Sequence, residues 1–336
     1  MKQNKIPCYR YPTETILVDD NKNFLKTLQF ALGSRYKCRP FENPEKALSY
    51  IAQSTSQLKT AISRYIPEIE DLEDHRRSLI VDIANIHKEI YNKDRFKEIA
   101  VVVIDYGMPS MNGLDLCKKI KNTTKNPLKL IMLTGEAGYD IAVEAFNNGL
   151  INKFILKSQG EYVNAVAEAI LDLQEEYFFD LSEPIRRLLQ PAAQKLLETP
   201  EFIEIFNKMT TQNNIKEFYI LDDSFSILFM DDQGSTPVSL IIRTEEDMDM
   251  QYELASDDRH VNPAWVEDIK NRKKLASYTD HRGINQPAQD WLFHDAQLLS
   301  KASGCYYAIV TASENSQLLD HKKIAAYQNY SKTKLK

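Results

Sequence analysis

The chain has 336 residues and a formal net charge of −6, and its 43% hydrophobic content is enough for the cores of two or three domains. No apolar run reaches the length that a membrane-spanning helix needs, so we expect no membrane insertion. The N-terminal residues are polar and lack the apolar centre of a signal peptide. The four cysteines are scattered without a C-x-x-C pair, and we therefore expect a reduced, cytoplasmic protein.

The net charge lies entirely in the second part of the chain. Residues 1–179 hold 24 basic and 24 acidic residues, whereas residues 180–336 hold 18 basic and 24 acidic residues. Nucleic-acid binding depends on basic side chains that neutralise phosphates, so an acidic half is a poor match to DNA or RNA. Only a local basic patch would reverse this expectation.

Short apolar stretches alternate with amphipathic stretches through residues 1–179, apart from one long interruption. The apolar stretches have the length of buried strands, and the amphipathic stretches have helical spacing. This alternation predicts an α/β domain with a doubly wound, five-stranded parallel sheet, because the crossovers between such strands are right-handed. The predicted strands are Thr15–Val18, Tyr36–Phe41, Val101–Ile104, Lys129–Leu133 and Lys153–Leu156.

The interruption spans residues 53–99 and separates the second and third predicted strands. Its apolar residues recur in alternating steps of four and three, which is the spacing of a coiled coil. Because the chain must return beside the strand it left, we predict an inserted antiparallel helical hairpin that turns near Glu73–Arg77, with Pro67 kinking or breaking its first arm. The stripe predicts a core between the two arms more strongly than self-association. We expect a lever or a docking element at the edge of the sheet where the strands begin.

The most apolar predicted strand runs directly into one acid, Asp105. This residue falls at the carboxyl end of its strand, where open α/β sheets place their ligands. Alone it could be a metal ligand, a nucleophile or a helix cap. Because parallel strands share one carboxyl edge, we expect Asp19, Asp20, Thr134 and Lys157 to arrive beside it. A cap or a turn explains any one of these residues well, but it explains all five together poorly.

Three carboxylates at one edge need compensating positive charge, because they cannot all stay ionised without it. The Lys157 ammonium supplies part of that charge. Mg²⁺ supplies the rest, since this ion prefers carboxylate oxygens and water as ligands. A carboxylate can also accept a phosphoryl group and form an aspartyl phosphate. The residue types therefore favour a magnesium site that handles phosphoryl groups.

Four motifs occur in order along this part of the chain. They are Asp19-Asp20 after the first strand, D-Y-G-M-P-S-M-N-G-L around Asp105, L-T-G at 133–135 and F-I-L-K at 154–157. As a set they resemble the receiver domain of two-component response regulators, over residues 14–178 apart from the interruption. The resemblance implies a flavodoxin-like receiver fold and a phosphoprotein of signal transduction. It implies that the receiver is a phospho-acceptor with possible autodephosphorylation and not an enzyme, and it leaves the activity of the rest of the chain open.

The resemblance also implies a role for each acidic residue. Asp105 would be the phospho-acceptor and would contribute to the metal site. Asp20 would be the direct Mg²⁺ ligand, with Asp19 assisting through water or a hydrogen bond. The Gly107 carbonyl would be the backbone ligand, and this glycine leaves no side chain beside the acyl phosphate.

The remaining matched residues would sense the phosphoryl group. Thr134 would donate a hydrogen bond to a phosphoryl oxygen, and Lys157 would pair with the phosphate. Phe154 resembles the aromatic switch that turns inward together with Thr134. Ser158 departs from the proline that is usual in the family after the lysine. The implied phosphoryl donor is a sensor histidine kinase or a phosphotransfer protein.

The second part of the sequence predicts a helical connector over 180–215, an α+β output domain over 216–330 and a disordered tail over 331–336. Turn residues between short apolar runs are typical of an antiparallel meander. Thr244 and Asn262 resemble helix caps. The predicted strands are 217–221, 227–230, 237–243 and 305–310, and a helix is predicted through Trp291–Leu299.

No catalytic motif marks the output region, but two stretches resemble Lqs-type quorum-sensing response regulators. They are F-Y-I-L-D-D-S-F-S-I-L-F-M-D-D-Q-G and S-L-I-I-R-T-E-E-D. This resemblance implies a quorum-sensing response regulator in which phosphorylation favours a homodimer, through the fourth and fifth helices and fifth strand of the receiver. A downstream protein partner, a nucleotide-binding or enzymatic output and a DNA-binding output all stay open.

Overall fold

The computed structural model describes residues 6–33, 35–57, 65–66, 68–70, 77–79, 81–135, 138–158, 160–189, 191–212, 215–234, 237–278, 283–311 and 324–333. The chain folds into two compact units. The first comprises Tyr11–Arg64 and Asp94–Glu183, and the second comprises Met1–Arg10, Tyr65–Lys93 and Pro184–Lys336. No helix in the described ranges is both long and apolar enough to cross a lipid bilayer.

The regular elements are numbered in chain order. The strands are β1 (Tyr9–Arg10), β2 (Glu14–Val18), β3 (Lys37–Phe41), β4 (Glu68–Glu70), β5 (Arg77–Leu79), β6 (Ile99–Asp105), β7 (Lys129–Thr134), β8 (Lys153–Leu156), β9 (Glu217–Ile220), β10 (Ile227–Met230), β11 (Val238–Thr244), β12 (Lys274–Ser277), β13 (Leu292–Asp295), β14 (Gln297–Ser300) and β15 (Cys305–Val310). The helices are α1 (Lys22–Leu32), α2 (Pro44–Gln57), α3 (Ile83–Lys88), α4 (Gly113–Thr123), α5 (Tyr139–Asn147), α6 (Tyr162–Leu188), α7 (Pro191–Leu196), α8 (Pro200–Gln212), α9 (Glu245–Asp257), α10 (Pro263–Lys270) and α11 (Tyr327–Thr333).

The first unit contains the predicted parallel sheet, with strand order β3-β2-β6-β7-β8. All four strand pairs are parallel, and Val103 of β6 lies between Leu17 of β2 and Ile131 of β7. Every residue of β6 is buried, as expected for a β-branched run that is covered on both faces. The predicted doubly wound α/β fold is therefore confirmed, and the carboxyl ends of all five strands lie at one edge.

Two asparagine caps fix the loops that follow β2 and β6. The Asn21 side chain accepts hydrogen bonds from the backbone N–H groups of Asn23 and Phe24 at the start of α1. Asn112 likewise accepts from the Asp115 N–H at the start of α4. These bonds satisfy helix N–H groups that have no partner within the helix. Both helices therefore begin directly at the edge where the predicted acids lie.

The predicted helical hairpin at residues 53–99 is wrong for the described residues. Helix α2 is described as far as Gln57, β4 and β5 form a short antiparallel pair, and α3 is the only α-helix described between residues 81 and 99. The predicted turn near Glu73–Arg77 falls mostly outside the described residues, and Pro67 falls outside them altogether. The stripe residues Ile86 and Ile90 are fully buried, and α3 packs against β9 of the second unit to which it belongs. Among the described residues of the stripe, Ile86 therefore lies in a helix that packs on a strand and not between two helical arms.

The second unit is built on a six-stranded antiparallel sheet with the order β1-β9-β10-β11-β15-β14. The predicted meander forms β9, β10 and β11. Thr244 and Asp247 form the predicted capping box at the start of α9, and Asn262 caps α10. Buried residues of α9, α10, β11, β12 and β15 form a common core that includes Trp291. The antiparallel α+β architecture expected for the second part is confirmed.

Three further predictions for the second part need correction. The helix expected through Trp291–Leu299 is instead β13 and β14, because these strands pair with β12 and β15 and the sheet contacts outweigh the helical spacing. Within the predicted disordered tail, residues 331–333 belong to α11. The limits 1–179 and 180–336 differ from the compact units, because β1 pairs with β9 and α3 packs on the same strand.

Candidate functional site

Three carboxylates meet at the carboxyl edge of the parallel sheet. Asp19 and Asp20 follow β2, and Asp105 ends β6. One carboxylate oxygen from each of the three lies within 4.8 Å of the others. Asp19 and Asp105 are buried, whereas Asp20 is exposed. The strand order brings these acids together from positions that are far apart in sequence.

Lys157 follows β8 and connects two of these acids. Its Nζ lies 2.7 Å from Asp19 Oδ2 and 2.8 Å from Asp105 Oδ1. The backbone N–H of Lys157 donates to the Thr134 carbonyl at 2.9 Å, which ties the lysine to the end of β7. One ammonium group is thus shared between two buried carboxylates.

Backbone N–H groups orient the remaining oxygens of the two buried acids. The Asn21 N–H donates to Asp19 Oδ1 at 2.8 Å, and the Gly107 N–H donates to Asp105 Oδ2 at 3.1 Å. Gly107 is exposed. A β-carbon there would lie 3.6 Å from Asp105 Oδ2, so the space beside this oxygen is open.

The pKa values of the clustered groups depend on both burial and neighbouring charges. Burial raises the pKa of Asp19, the nearby Asp105 raises it further, and hydrogen bonds from Lys157 and Asn21 only partly offset this. The pKa of Lys157 is also raised, because its bonds to Asp105 and Asp19 outweigh the effect of its own burial. Lys157 therefore stays protonated across the physiological pH range.

One aromatic ring lies beside the lysine, and a second ring stacks on the first. Lys157 Nζ is 4.2 Å from the centroid of the Phe24 ring on α1. Phe24 in turn stacks on Tyr162 at the start of α6, with centroids 5.9 Å apart and planes inclined by 18°. A cation over an aromatic face is attracted by the ring quadrupole. This contact holds the ammonium towards the acids and shields its outer side.

Thr134 ends β7 next to the acids and is fully buried. Its hydroxyl donates to the Gly135 carbonyl at 2.9 Å. A β-carbon at Gly138 would overlap this hydroxyl, so the start of α5 approaches Thr134 closely. The hydroxyl of Thr134 is thus engaged with its own loop in this structure.

Phe154 lies on β8, three residues before Lys157, and its ring packs between two rings of α5. The centroid distances are 5.7 Å to Tyr139 and 6.0 Å to Phe146, both in edge-to-face geometry. Tyr139 is 44% exposed and Phe146 is 46% exposed. The predicted switch residue therefore belongs to an aromatic cluster that is partly open to solvent.

The structure brings the sequence-predicted acids and Lys157 into one cluster, with Thr134 at the end of the adjacent strand. Sequence reasoning missed Phe24, Tyr162 and Gly138, because nothing in their local pattern separates them from ordinary helix residues. Phe24 lies four residues after Asp20, and this helical spacing was the one available signal.

The donor set fits a divalent cation. It offers three carboxylates, whose oxygens Mg²⁺ and Ca²⁺ prefer, and the exposed Asp20 leaves a side where water can complete the coordination. Lys157 balances one of the three carboxylate charges, so two negative charges remain. A divalent cation has the charge that would neutralise them.

Comparison with known proteins identifies the family. The family model described as the response regulator receiver domain matches residues 69–166. The structure of the Legionella pneumophila response regulator LqsR aligns with a TM-score of 0.75 and 31% sequence identity, over 99% of this chain and 97% of that chain. The chain belongs to the response regulator family. Its first unit, a five-stranded parallel sheet with acids at one edge, is the receiver domain.

Curated relatives match shorter parts of this response regulator. The chemotaxis protein CheY1 of Helicobacter pylori (strain ATCC 700392 / 26695) is 35% identical over 65 residues, which are 19% of this chain and 52% of that protein. The uncharacterised transcriptional regulatory protein YesN of Bacillus subtilis (strain 168) is 31% identical over 101 residues, 30% of this chain and 27% of that protein. The matches thus span about half or less of these relatives.

The family match begins inside the insertion at residue 69. It contains Asp105, Thr134 and Lys157 but excludes Asp19 and Asp20, which the insertion separates from the rest of the receiver in sequence. The parallel pairing of β2 with β6 restores them to the same edge.

Proposed function

We propose that this response regulator accepts a phosphoryl group on Asp105 from a sensor histidine kinase or a phosphotransfer protein. The observation that supports this most strongly is the shared ammonium of Lys157, which contacts Asp105 and Asp19 beside the exposed Asp20. A nucleophilic carboxylate, a fixed cation and two further acids form the constellation that aspartyl phosphorylation needs.

Mg²⁺ is the cofactor that we propose for this site. Asp19, Asp20 and Asp105 would hold it, together with the Gly107 carbonyl. When bound, Mg²⁺ would neutralise charge on the phosphoryl oxygens and on the surrounding carboxylates.

The residues of the chain carry out the transfer itself. An oxygen of the Asp105 carboxylate attacks phosphorus, the bond from phosphorus to the imidazole nitrogen of the donor breaks, and that nitrogen keeps the electron pair. The Lys157 ammonium then pairs with a phosphoryl oxygen in place of the free Asp105 oxygen. The Thr134 hydroxyl leaves the Gly135 carbonyl and donates to a second phosphoryl oxygen.

The proposed consequence is a switch in the face made by α5, β8 and α6. Movement of Thr134 draws the start of α5 towards the site, and Phe154 turns inward from its contacts with Tyr139 and Phe146. This change favours a homodimer, which controls the second unit and its downstream protein partner in quorum-sensing signalling.

Incubation with a small phosphodonor and Mg²⁺ tests the acceptor. Intact-mass measurement should show one added phosphoryl group on the wild-type chain, labile to hydroxylamine, and none on Asp105→Asn. Equal incorporation into both chains would mean that another residue is the acceptor.

Light scattering tests the dimer proposal separately. Beryllofluoride with Mg²⁺ mimics an aspartyl phosphate, and it should convert the wild-type chain from monomer to dimer while leaving Asp105→Asn unchanged. A dimer that is present in both chains without the mimic would contradict a phosphorylation-dependent assembly.

A further inference from the structure

Gly138 stands where the loop after β7 meets α5. A β-carbon built on this glycine would overlap the Thr134 hydroxyl oxygen and would lie 2.7 Å from Cδ1 of Tyr106. Both residues border the proposed phosphoryl site, since Tyr106 follows Asp105 directly. The space that a side chain at position 138 would occupy is therefore already filled by the Thr134 hydroxyl and the Tyr106 ring.

Position 138 requires a glycine because a side chain has no room there, and not because of the backbone conformation. Gly138 has φ −101° and ψ 5°, a negative-φ conformation that residues with side chains also adopt in turns. Gly160, by contrast, has open space around its missing β-carbon. An alanine would be harmless at Gly160, whereas at Gly138 it would have to displace its neighbours.

The two neighbours can yield to a β-carbon in different ways. The Tyr106 ring is half-buried and can move outward. Thr134 is fully buried and short, so its hydroxyl can leave only by a turn about χ1, which for a β-branched residue means a different staggered well. That turn would break the present hydrogen bond from Thr134 to the Gly135 carbonyl.

We infer that Gly138 is a positioning residue that holds open the resting place of the Thr134 hydroxyl in the unphosphorylated receiver. The inference rests on the proposed function, in which this hydroxyl leaves Gly135 to engage a phosphoryl group on Asp105. Because the resting and engaged positions of one hydroxyl exclude each other, the space at Gly138 sets the balance between them. A side chain at this position removes the resting place and shifts the receiver towards its phosphorylated form.

Binding of beryllofluoride with Mg²⁺ to the full chain measures this balance. Gly138→Ala should bind the mimic about fivefold more tightly than wild type or better, the lower end of ordinary coupling between sites. Gly160→Ala is the matched control and should bind as wild type does. In a Thr134→Ala background, the effect of Gly138→Ala should disappear, because the hydroxyl that it displaces is absent.

Unchanged or weaker binding by Gly138→Ala would overturn the inference. An equal gain in the Thr134→Ala background would overturn it too, since the effect would then bypass the threonine. Failure of the wild-type chain to bind the mimic would instead count against the proposed function.

Thermal unfolding of the wild type, Gly138→Ala, Thr134→Ala and the double variant tests the contact between positions 134 and 138 without metal or mimic. Gly138→Ala should lower the melting temperature in the Thr134 background and lower it less in the Thr134→Ala background. If Gly138→Ala fails to fold, recovery of folding in the double variant supports the inference. A double variant as impaired as Gly138→Ala would overturn it.

Discussion

A single ammonium group is the electrostatic centre of the receiver site. Lys157 lies within hydrogen-bond distance of Asp19 and Asp105, and the two acids would repel each other without it. Folding must nevertheless bury Asp19 at some cost, as its raised pKa shows. The acids that could hold a cation therefore lower the folding stability of the site, and such a loss of stability is common in functional sites.

Asp19→Asn should stabilise the receiver at neutral pH. The raised pKa of Asp19 means that its ionised form opposes folding above that pKa, so removal of the charge should add about 0.5–2 kcal/mol to the free energy of unfolding at pH 7. The gain should shrink as the pH falls towards 3.8, the ordinary pKa of an aspartate, because the wild-type carboxyl then becomes protonated. Urea unfolding at a series of pH values measures this, and a less stable variant at pH 7 would contradict it.

Phe24→Leu should remove the cation–π contact that holds the Lys157 ammonium in place. The ring lies 4.2 Å from the ammonium, and such a contact contributes about 0.5–2 kcal/mol. We expect a loss of about 1 kcal/mol in the free energy of unfolding, and faster hydrolysis of the acyl phosphate because water gains access. Phe30→Leu on the same helix is the matched control, since Phe30 is 89% exposed. Equal effects of the two variants would show that the contact with Lys157 is unimportant.

The strand ends opposite the acids depend on a second buried charge. Glu14 begins β2 and is almost fully buried. It contacts Lys37 and Arg39 of β3 at 2.9 Å each, and it accepts a hydrogen bond from the Tyr50 hydroxyl at 2.6 Å. These contacts join β2, β3 and α2.

Glu14→Gln should destabilise the first unit by about 3 kcal/mol at pH 7, because it leaves two partly buried cations without their carboxylate. Burial raises the pKa of Glu14, but the contacts with Arg39, Lys37 and Tyr50 outweigh it and lower the pKa below 4.5 overall. The stabilisation is therefore complete above pH 4.5 and is lost as the pH falls through the lowered pKa. Denaturant unfolding of both chains at several pH values should show the difference vanish in acid, and a constant difference would contradict this.

The elements that could be predicted well from the sequence are those whose signals lie in neighbouring residues. The run Val101–Ile104 is apolar on both faces, and Thr244 with Asp247 carries its own cap. The insertion could not be predicted in this way, because its helix α3 packs on β9, more than a hundred residues away in sequence. The contact between Phe24 and Lys157 and the space at Gly138 were invisible for the same reason, since they exist only after the strands assemble.

At the scale of the whole molecule, neither unit is continuous in sequence. The second unit takes a strand from the N-terminal residues and α3 from the insertion. Tyr65 packs edge-to-face on Tyr9, and the Ala325 N–H donates to the Ile90 carbonyl at 3.2 Å. The insertion is thus a structural part of the second unit.

Replacement of residues 65–93 by a short flexible linker should destabilise the second unit and leave phosphorylation of the first unit intact. The second unit loses α3 from β9 and should become sensitive to proteolysis and to hydrogen exchange. The acids, Lys157 and Thr134 all belong to the first unit, so phosphoryl incorporation into Asp105 should persist. Loss of incorporation in a chain with an intact first unit would show that the insertion contributes to the acceptor site.

The most direct test of the central claim is to locate the phosphoryl group on the chain. Borohydride reduces an aspartyl phosphate to homoserine, which peptide mass spectrometry assigns to one position. After incubation with a phosphodonor and Mg²⁺, we expect homoserine at position 105 in the wild-type chain. Homoserine at another aspartate, or at none despite an intact first unit, would contradict the assignment of Asp105 as the acceptor.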